Sequence, residues 1–404
     1  MKMDIRMYTN QLTSQPAFSA LPYLAACALH NAQPDEQVLS KIDINLLFGT
    51  AQKQSLSSLI YIALQNTDYL KKTDTDAAKT FKDFREQSLR KSIITDAEKI
   101  RILAELEERH IWYMPLKGSV LKHLYPREDM REMTDIDILY DGQYRKKTRD
   151  VFISRGYSAK SYGRGKHDVY TKSPVYVFEM HSYLFAHSEL SELYSFFDNI
   201  NEMLIPDEDN SYGRHLSNED FYLYMTAHSY RHYVKGGHGL RPLVDFYVMN
   251  NNWGETMNWE YVKSNLHRMK IADYEKTCRC LANHLFSKAE PLELSQLPQD
   301  EQKMLSLCFA AGTKGTEGNK IVSALKNYNI DDSEINRTTK IKYYIRRIFP
   351  GRKWFRDPYP FFYRFPFMIP FFWIYRIIKT LLFKRAKIKK EIETVESYNY
   401  DDNN

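Results

Sequence analysis

Apolar residues recur at three- and four-residue steps over most of this chain, and at two-residue steps in a short stretch near residues 111–181. Over 74–110, Phe81, Phe84, Leu89, Ile93, Ile100, Leu103 and Leu106 follow the helical step in a background rich in Ala, Glu, Lys, Arg and Leu. Residues 36–110 as a whole are expected to be mostly helix. The pattern changes at Ile111. Residues 111–116 form a short apolar run of strand type ended by a glycine turn, and Val120, Leu121 and Leu124 give one face of a short helix that Pro126 stops. Residues 135–140 read as a second strand. Residues 143–155 read as an amphipathic helix with Val151 and Phe152 inward and Gly156 at its exit. Two more strands are expected at 167–171 and 175–181, around a Ser173-Pro174 turn.

This order of strand, helix, strand, helix and two strands describes a small mixed α/β unit of roughly 75 residues. Helical periodicity returns over 190–330, clearest at 219–233, 240–250, 259–270 and 274–286, with polar loop-like stretches near 206–216 and 312–319. The expected fold class is α+β: a small mixed-sheet core at 111–189, an N-terminal helical region at 1–110, a C-terminal helical domain at 190–336, and a tail at 337–404.

Length supports this division, since 404 residues suit two or three units rather than one. Cys27, Cys278, Cys280 and Cys308 form no disulfide framework, and Cys278-x-Cys280 lacks the paired spacing of a zinc site. The apolar run at 15–30 contains Pro22 and His30 and does not follow a secretion-signal pattern. An intracellular, cytoplasmic location is the expectation. The net charge of +6 is unevenly spread. Residues 337–404 carry sixteen Lys/Arg against six acids, a net of +10, which leaves −4 on the rest. A broad nucleic-acid-binding surface on the body is therefore disfavoured, and the tail needs a partner of its own.

The candidate chemistry lies in the middle unit. In a strand, residues two apart share a face, so Asp135 and Asp137 project together while Ile136 and Ile138 face the opposite layer. Two carboxylates this close repel unless a divalent cation neutralises them, and hard cations such as Mg²⁺ prefer oxygen ligands. Glu179 stands in an otherwise apolar strand, where burying an unpaired carboxylate is costly, and His181 shares its face. Gly118 and Ser119 sit where a strand is expected to turn into a helix, a place where backbone N–H groups favour phosphate. Lys117 and Arg131 could neutralise a triphosphate.

Leu116-Lys117-Gly118-Ser119, Tyr125-Pro126, Arg131, Asp135-Ile136-Asp137-Ile138-Leu139 and Glu179-Met180-His181 together resemble the uncharacterised bacterial nucleotidyltransferase family of the DNA polymerase beta-like superfamily. The superfamily pattern is Gly followed by Gly or Ser, an Asp-x-Asp or Asp-x-Glu pair, and a third acid on a later strand. The resemblance implies that Gly118 and Ser119 contact phosphate and that Asp135 and Asp137 bind two Mg²⁺ ions, with Mn²⁺ as the alternative. It further implies that Glu179 completes the metal site and takes the proton of the attacking hydroxyl. The gap between Ser119 and Asp135 is longer than the usual superfamily spacing. The implied activity is transfer of a nucleoside monophosphate from an NTP to a hydroxyl or phosphate acceptor, with a sugar, small molecule, RNA or protein as acceptor. A non-catalytic nucleotide-sensing protein on the same fold is the alternative.

Weaker resemblance continues through His228, His232, Leu240-Arg241 and Asp245. The two histidines are four apart on a helix, with packing or phosphate contact ahead of metal binding. Arg241 and Asp245 have the spacing of a helical ion pair, and Arg241 is a candidate triphosphate contact. In the tail, basic residues interleave with aromatics. As a helix from residue 371, Arg376, Lys379, Lys387 and Lys390 fall to one side of Phe371, Ile374, Ile378 and Leu382. Residues 337–390 are thus a candidate contact with the anionic inner face of a membrane, lying in the interface, with RNA and packing on the acidic body as alternatives.

Overall fold

The computed structural model describes residues 16–72, 75–163, 165–187, 190–313, 337–383 and 385–396, with 318, 321 and 325 as isolated positions. The apolar run near the N-terminus is helix α1 (Pro16–Leu29). Leu21, Leu24, Ala25, Ala26 and Cys27 are fully buried, which explains why it is apolar all round. Helices α2 (Ile44–Gln54) and α3 (Ser57–Leu64) pack on it, α2 starting at an Asp43 side chain that accepts the Leu46 N–H.

The long helix α4 (Thr75–Glu108) joins two cores. Phe81 near its start belongs to the helical core, and Ile102 and Leu106 near its end lie under the sheet. Between them the inward face differs from the expected apolar stripe. Ile93 and Ile100 are exposed, while Thr95 and Glu98 are buried. Glu98 takes a fork of hydrogen bonds from Arg155, and Asp96 pairs with the buried Lys122. The middle of α4 therefore docks through ion pairs, which its apolar periodicity does not reveal.

Strand β1 (Tyr113–Pro115) leads into the short helix α5 (Gly118–Leu121), and two 3₁₀ turns, Lys122–Leu124 and Glu128–Met130, occupy the lengthened gap before strand β2 (Ile136–Tyr140). Helix α6 (Arg145–Ser154) follows, then β3 (Ser158–Ser161), β4 (His167–Lys172) and β5 (Tyr176–His181). The sheet order is β1-β2-β5-β4-β3, with β2 and β5 parallel and the other pairs antiparallel. The mixed sheet and its flanking helices make the fold α+β, as expected. Strand β3 is an addition to the expected four. Its Ser-Ala-Lys-Ser residues sit at the sheet edge, three of the four exposed, so no apolar alternation marks it.

One sheet face carries Ile136, Ile138, Tyr140, Tyr170, Phe178 and Met180 and packs on Val151 and Phe152 of α6 and on the end of α4. The opposite face carries Asp137, Glu179 and His181. Helices α7 (Asn218–Gly236), α8 (Arg241–Trp253), α9 (Trp259–Arg268), α10 (Ala272–Phe286) and α11 (Gln299–Ala311) then complete the body. Among the described residues they share their core with the N-terminal helices. A single hydrophobic cluster runs from Ala17 to Phe309 and joins them to α1–α3. Polar ties cross the same seam: the Gln54 amide oxygen accepts the Leu240 N–H, and its nitrogen donates to the Cys308 carbonyl.

The tail holds helices α12 (Arg337–Ile348), α13 (Ile369–Phe383) and α14 (Arg385–Glu396). The expected loop at 312–319 lies mostly outside the described residues, as do the acidic residues Asp401 and Asp402. Among the described residues no helix is long and apolar enough to cross a membrane.

Candidate metal and nucleotide site

The parallel register of β2 and β5 sets Asp137 opposite Glu179 and Leu139 opposite His181, and the antiparallel register of β5 and β4 sets His181 opposite His167. The period-two alternation of each strand therefore delivers Asp137, Glu179, His181 and His167 to one face. Asp135 lies just before β2, its carboxylate accepting the Thr134 hydroxyl at 2.9 Å.

Asp137 is the hub of this group. The Lys117 ammonium donates to Asp137 Oδ1 at 2.6 Å, and His181 Nε2 lies 2.7 Å from the same oxygen. Burial favours the neutral acid, but the Lys117 charge and the His181 hydrogen bond outweigh it and hold the Asp137 carboxyl well below the usual range. Glu179 behaves oppositely. Burial, with the negative charges of Asp137 and Asp135 beside it, pushes its carboxyl up to about 7. Burial pushes His181 down to about 3 and His167 down to about 4, so both imidazoles are neutral at ordinary pH.

The turn that aims Lys117 is itself unusual. Lys117 has φ 49° and ψ −118°, a conformation that glycine favours at the first central position of a type II′ turn, and the Ser119 N–H closes the turn on the Leu116 carbonyl at 3.1 Å. The Leu116 N–H donates to the Asp137 carbonyl at 2.9 Å, which ties the turn directly to β2. Gly118 is favoured by contact rather than by turn type, because a Cβ there would force the Arg131 guanidinium and the Met133 sulfur to shift. Ser119 is buried in the first turn of α5, and its hydroxyl finds no hydrogen-bond partner among the described residues.

Arg131 reaches Asp245 of α8 through two bonds, Nε to Oδ1 at 2.8 Å and Nη2 to Oδ2 at 3.0 Å, and the Tyr125 hydroxyl donates to the same carboxylate at 2.8 Å. This pairing replaces the expected Arg241–Asp245 ion pair. Arg241 stands beside it with its Nε buried and without a hydrogen-bond partner among the described residues. Burial, with Arg131 close by, lowers the Arg241 pKa against the opposing pull of Asp245.

Helix α7 covers the carboxylate face. Tyr224 is close enough to Asp137 and Glu179 that, after burial, their charges raise its hydroxyl pKa. One turn on, the rings of His228 and His232 lie 4.7 Å apart, and Arg231 Nη2 is 3.3 Å from His232 Nε2. Burial, Arg231 and Lys117 keep both histidines neutral.

His167 is the main member that sequence reasoning missed, together with Tyr224 and Arg231. His167, Glu179 and His181 offer ligand atoms that all lie within 4.8 Å of one another. Two neutral imidazoles and a crowded carboxylate are a donor set suited to a divalent cation. The alternation of His167 with Val169 was visible, but its pairing with His181 was not.

A family model described as an uncharacterised nucleotidyltransferase matches residues 40–287, a span that contains every residue of this site. No curated protein and no solved structure matches the chain.

Proposed function

Since the chain belongs to this uncharacterised nucleotidyltransferase family, we propose that the carboxylate face transfers a nucleoside monophosphate from an NTP to a hydroxyl or phosphate acceptor. The observation that carries the reading is the register of Asp137 with Glu179 on adjacent parallel strands, with Asp135 leading into the same strand end. In the proposed reaction the acceptor oxygen bonds to the α-phosphorus, the α–β bridging bond breaks, and pyrophosphate leaves. The hydroxyl proton goes to Glu179, which stands beside Asp137 on the same sheet face.

Asp135, Asp137 and Glu179 would hold Mg²⁺, with His167 and His181 adding nitrogen donors that favour Mn²⁺ over Mg²⁺. A bound divalent cation would supply charge neutralisation at the phosphates. Without it, Lys117 fills the electrostatic role at Asp137. Displaced from that oxygen, its ammonium is available to a phosphate. The unpartnered Ser119 hydroxyl and Arg241 Nε are further candidate phosphate donors, whereas Arg131 is committed to Asp245 and supports Gly118 from below. This arrangement supports placement in the DNA polymerase beta-like superfamily, and an NTP-dependent reaction would suit an intracellular setting.

Calorimetric titration of each NTP with Mg²⁺ tests the reading. Wild type should bind one or more NTPs only with the metal, and Asp135→Ala/Asp137→Ala should lose that binding while remaining folded. Failure of folded wild type to bind any NTP would sink the transferase reading and favour an interaction role for the fold.

A further inference from the structure

The tail presents an apolar surface that the body does not use. In α13, Ile369 and Phe372 are buried against Phe355, which closes a small aromatic cluster. The other side of the same helix carries Phe371, Ile374, Ile378 and Leu382, which are 53–64% exposed. Those four positions follow the helical step, so they form one stripe. Helix α12 repeats the device with Ile341, Ile345 and Ile348, all at least 40% exposed. The turns between the helices add exposed Phe361, Phe365 and Phe367. This much exposed apolar surface on neighbouring segments of the tail marks an interaction site.

Charge selects the partner. From Arg337 to Lys390 there are sixteen Lys/Arg and a single acid, Asp357. Exposed Arg352, Lys353, Arg356 and Arg364 surround the aromatic turns. Arg376 turns inward and stacks on Trp354, with 5.3 Å from its guanidinium carbon to the ring centroid, so the outer stripe is left apolar. The expected split of Arg376 from Phe371, Ile374, Ile378 and Leu382 is thus found; Lys379 is exposed and donates to the Tyr375 hydroxyl at 3.2 Å, and the side chains of Lys387 and Lys390 lie outside the described residues. Ile341, Ile345, Ile348, Ile374, Ile378 and Leu382 are aliphatic and offer no ring for stacking on bases, which favours a hydrocarbon interface over RNA. Two copies of so basic a face would repel one another.

We propose that α12, α13 and the turns between them dock on an anionic phospholipid bilayer, with the apolar stripes in the interface and the basic residues at the headgroups. Helix α13 has 15 residues and is about 22 Å long, short of the roughly 30 Å hydrocarbon layer, so it lies along the surface. Asp357 ties this face to the body. Its carboxylate is 2.8 Å from His187 Nδ1, and its carbonyl accepts the Gly165 N–H, two residues before His167 of the metal cluster.

The test is co-sedimentation of the full chain with phosphatidylcholine vesicles, alone or mixed with phosphatidylglycerol. The wild type should pellet with the mixed vesicles, less so as salt is raised, and remain in the supernatant with the neutral ones. Phe371→Ser/Ile374→Ser/Ile378→Ser/Leu382→Ser should weaken partitioning by about tenfold or more without loss of helix content. Arg352→Gln/Lys353→Gln/Arg364→Gln should weaken it on anionic vesicles, and Asp137→Ala should pellet like wild type, which separates this inference from the nucleotide reading. Recovery of wild type in the supernatant with both vesicle types would overturn the proposal. So would equal pelleting of the serine variant, a stable dimer by light scattering that closes the stripe, or tight RNA binding with no lipid binding.

Discussion

At the scale of single residues, the site is a set of opposed charge states held a few ångströms apart. Asp137 keeps its charge because Lys117 and His181 meet it, and Glu179 resists ionisation because burial and two neighbouring carboxylates act on it. A carboxyl raised from 4.5 to about 7 makes the folded state bind more protons than the unfolded chain across that interval. Its contribution to stability therefore falls as pH rises from 4.5 to about 7. In EDTA, Glu179→Gln should gain stability relative to wild type across this window, by up to about 3 kcal/mol. Urea unfolding at about pH 5 and about pH 8 reads the difference, and an unchanged gap would show that Glu179 titrates normally. The acids were legible in the sequence because strand alternation is local: Asp137 and Glu179 each break an apolar run. His167 was not, because its role depends on which strand lies next to β5.

At the scale of elements, the turn between β1 and α5 does two jobs that a glycine at position 117 could not combine. The backbone there adopts a glycine-like conformation, yet a lysine is present and its ammonium reaches Asp137. Strain at functional positions is usually retained because the side chain is needed. Lys117→Gly and Lys117→Ala both remove the ion pair, but only glycine relieves the backbone. Lys117→Gly should be the more stable of the two by about 1 to 2 kcal/mol, measured by denaturant midpoint. Equal midpoints would mean that the turn carries no strain. The strands expected at 135–140, 167–171 and 175–181 are present as β2, β4 and β5, because alternating or wholly apolar runs mark them. Edge strand β3 and the ion-paired middle of α4 were hidden, because polar contacts stabilise both and leave no apolar period.

At the scale of the whole molecule, the body is held by helices drawn from both sides of the sheet unit in sequence. Asp245 of α8 gathers Arg131 and Tyr125 from the segment between α5 and β2, so one buried carboxylate joins the helical core to the site. Removing one partner of a buried, bidentate pair leaves the other charge uncompensated. Asp245→Ala should cost about 3 to 5 kcal/mol in urea unfolding, and Arg131→Met/Asp245→Leu should cost less than the single change. A loss below about 1 kcal/mol for Asp245→Ala would show that Arg131 finds another partner. Sequence spacing pointed Asp245 to Arg241, four residues away on its own helix. The fold chose the distant arginine, whose planar fork meets both carboxylate oxygens.

The order of amino acids determined what depends on near neighbours: the helical and strand periods, the place of Asp137 within an apolar strand, the intrusion of Glu179 into another, and the basic, amphipathic character of the tail. Tertiary structure alone decided what depends on pairing across the chain. It set β5 beside β2 so that Glu179 meets Asp137, set β4 beside β5 so that His167 joins them, and merged the first helices with the last into one core. The physical reason is that a period is written within a few residues, whereas many apolar faces are equally able to pair. Only mutual burial and charge satisfaction over the whole molecule select one arrangement among them.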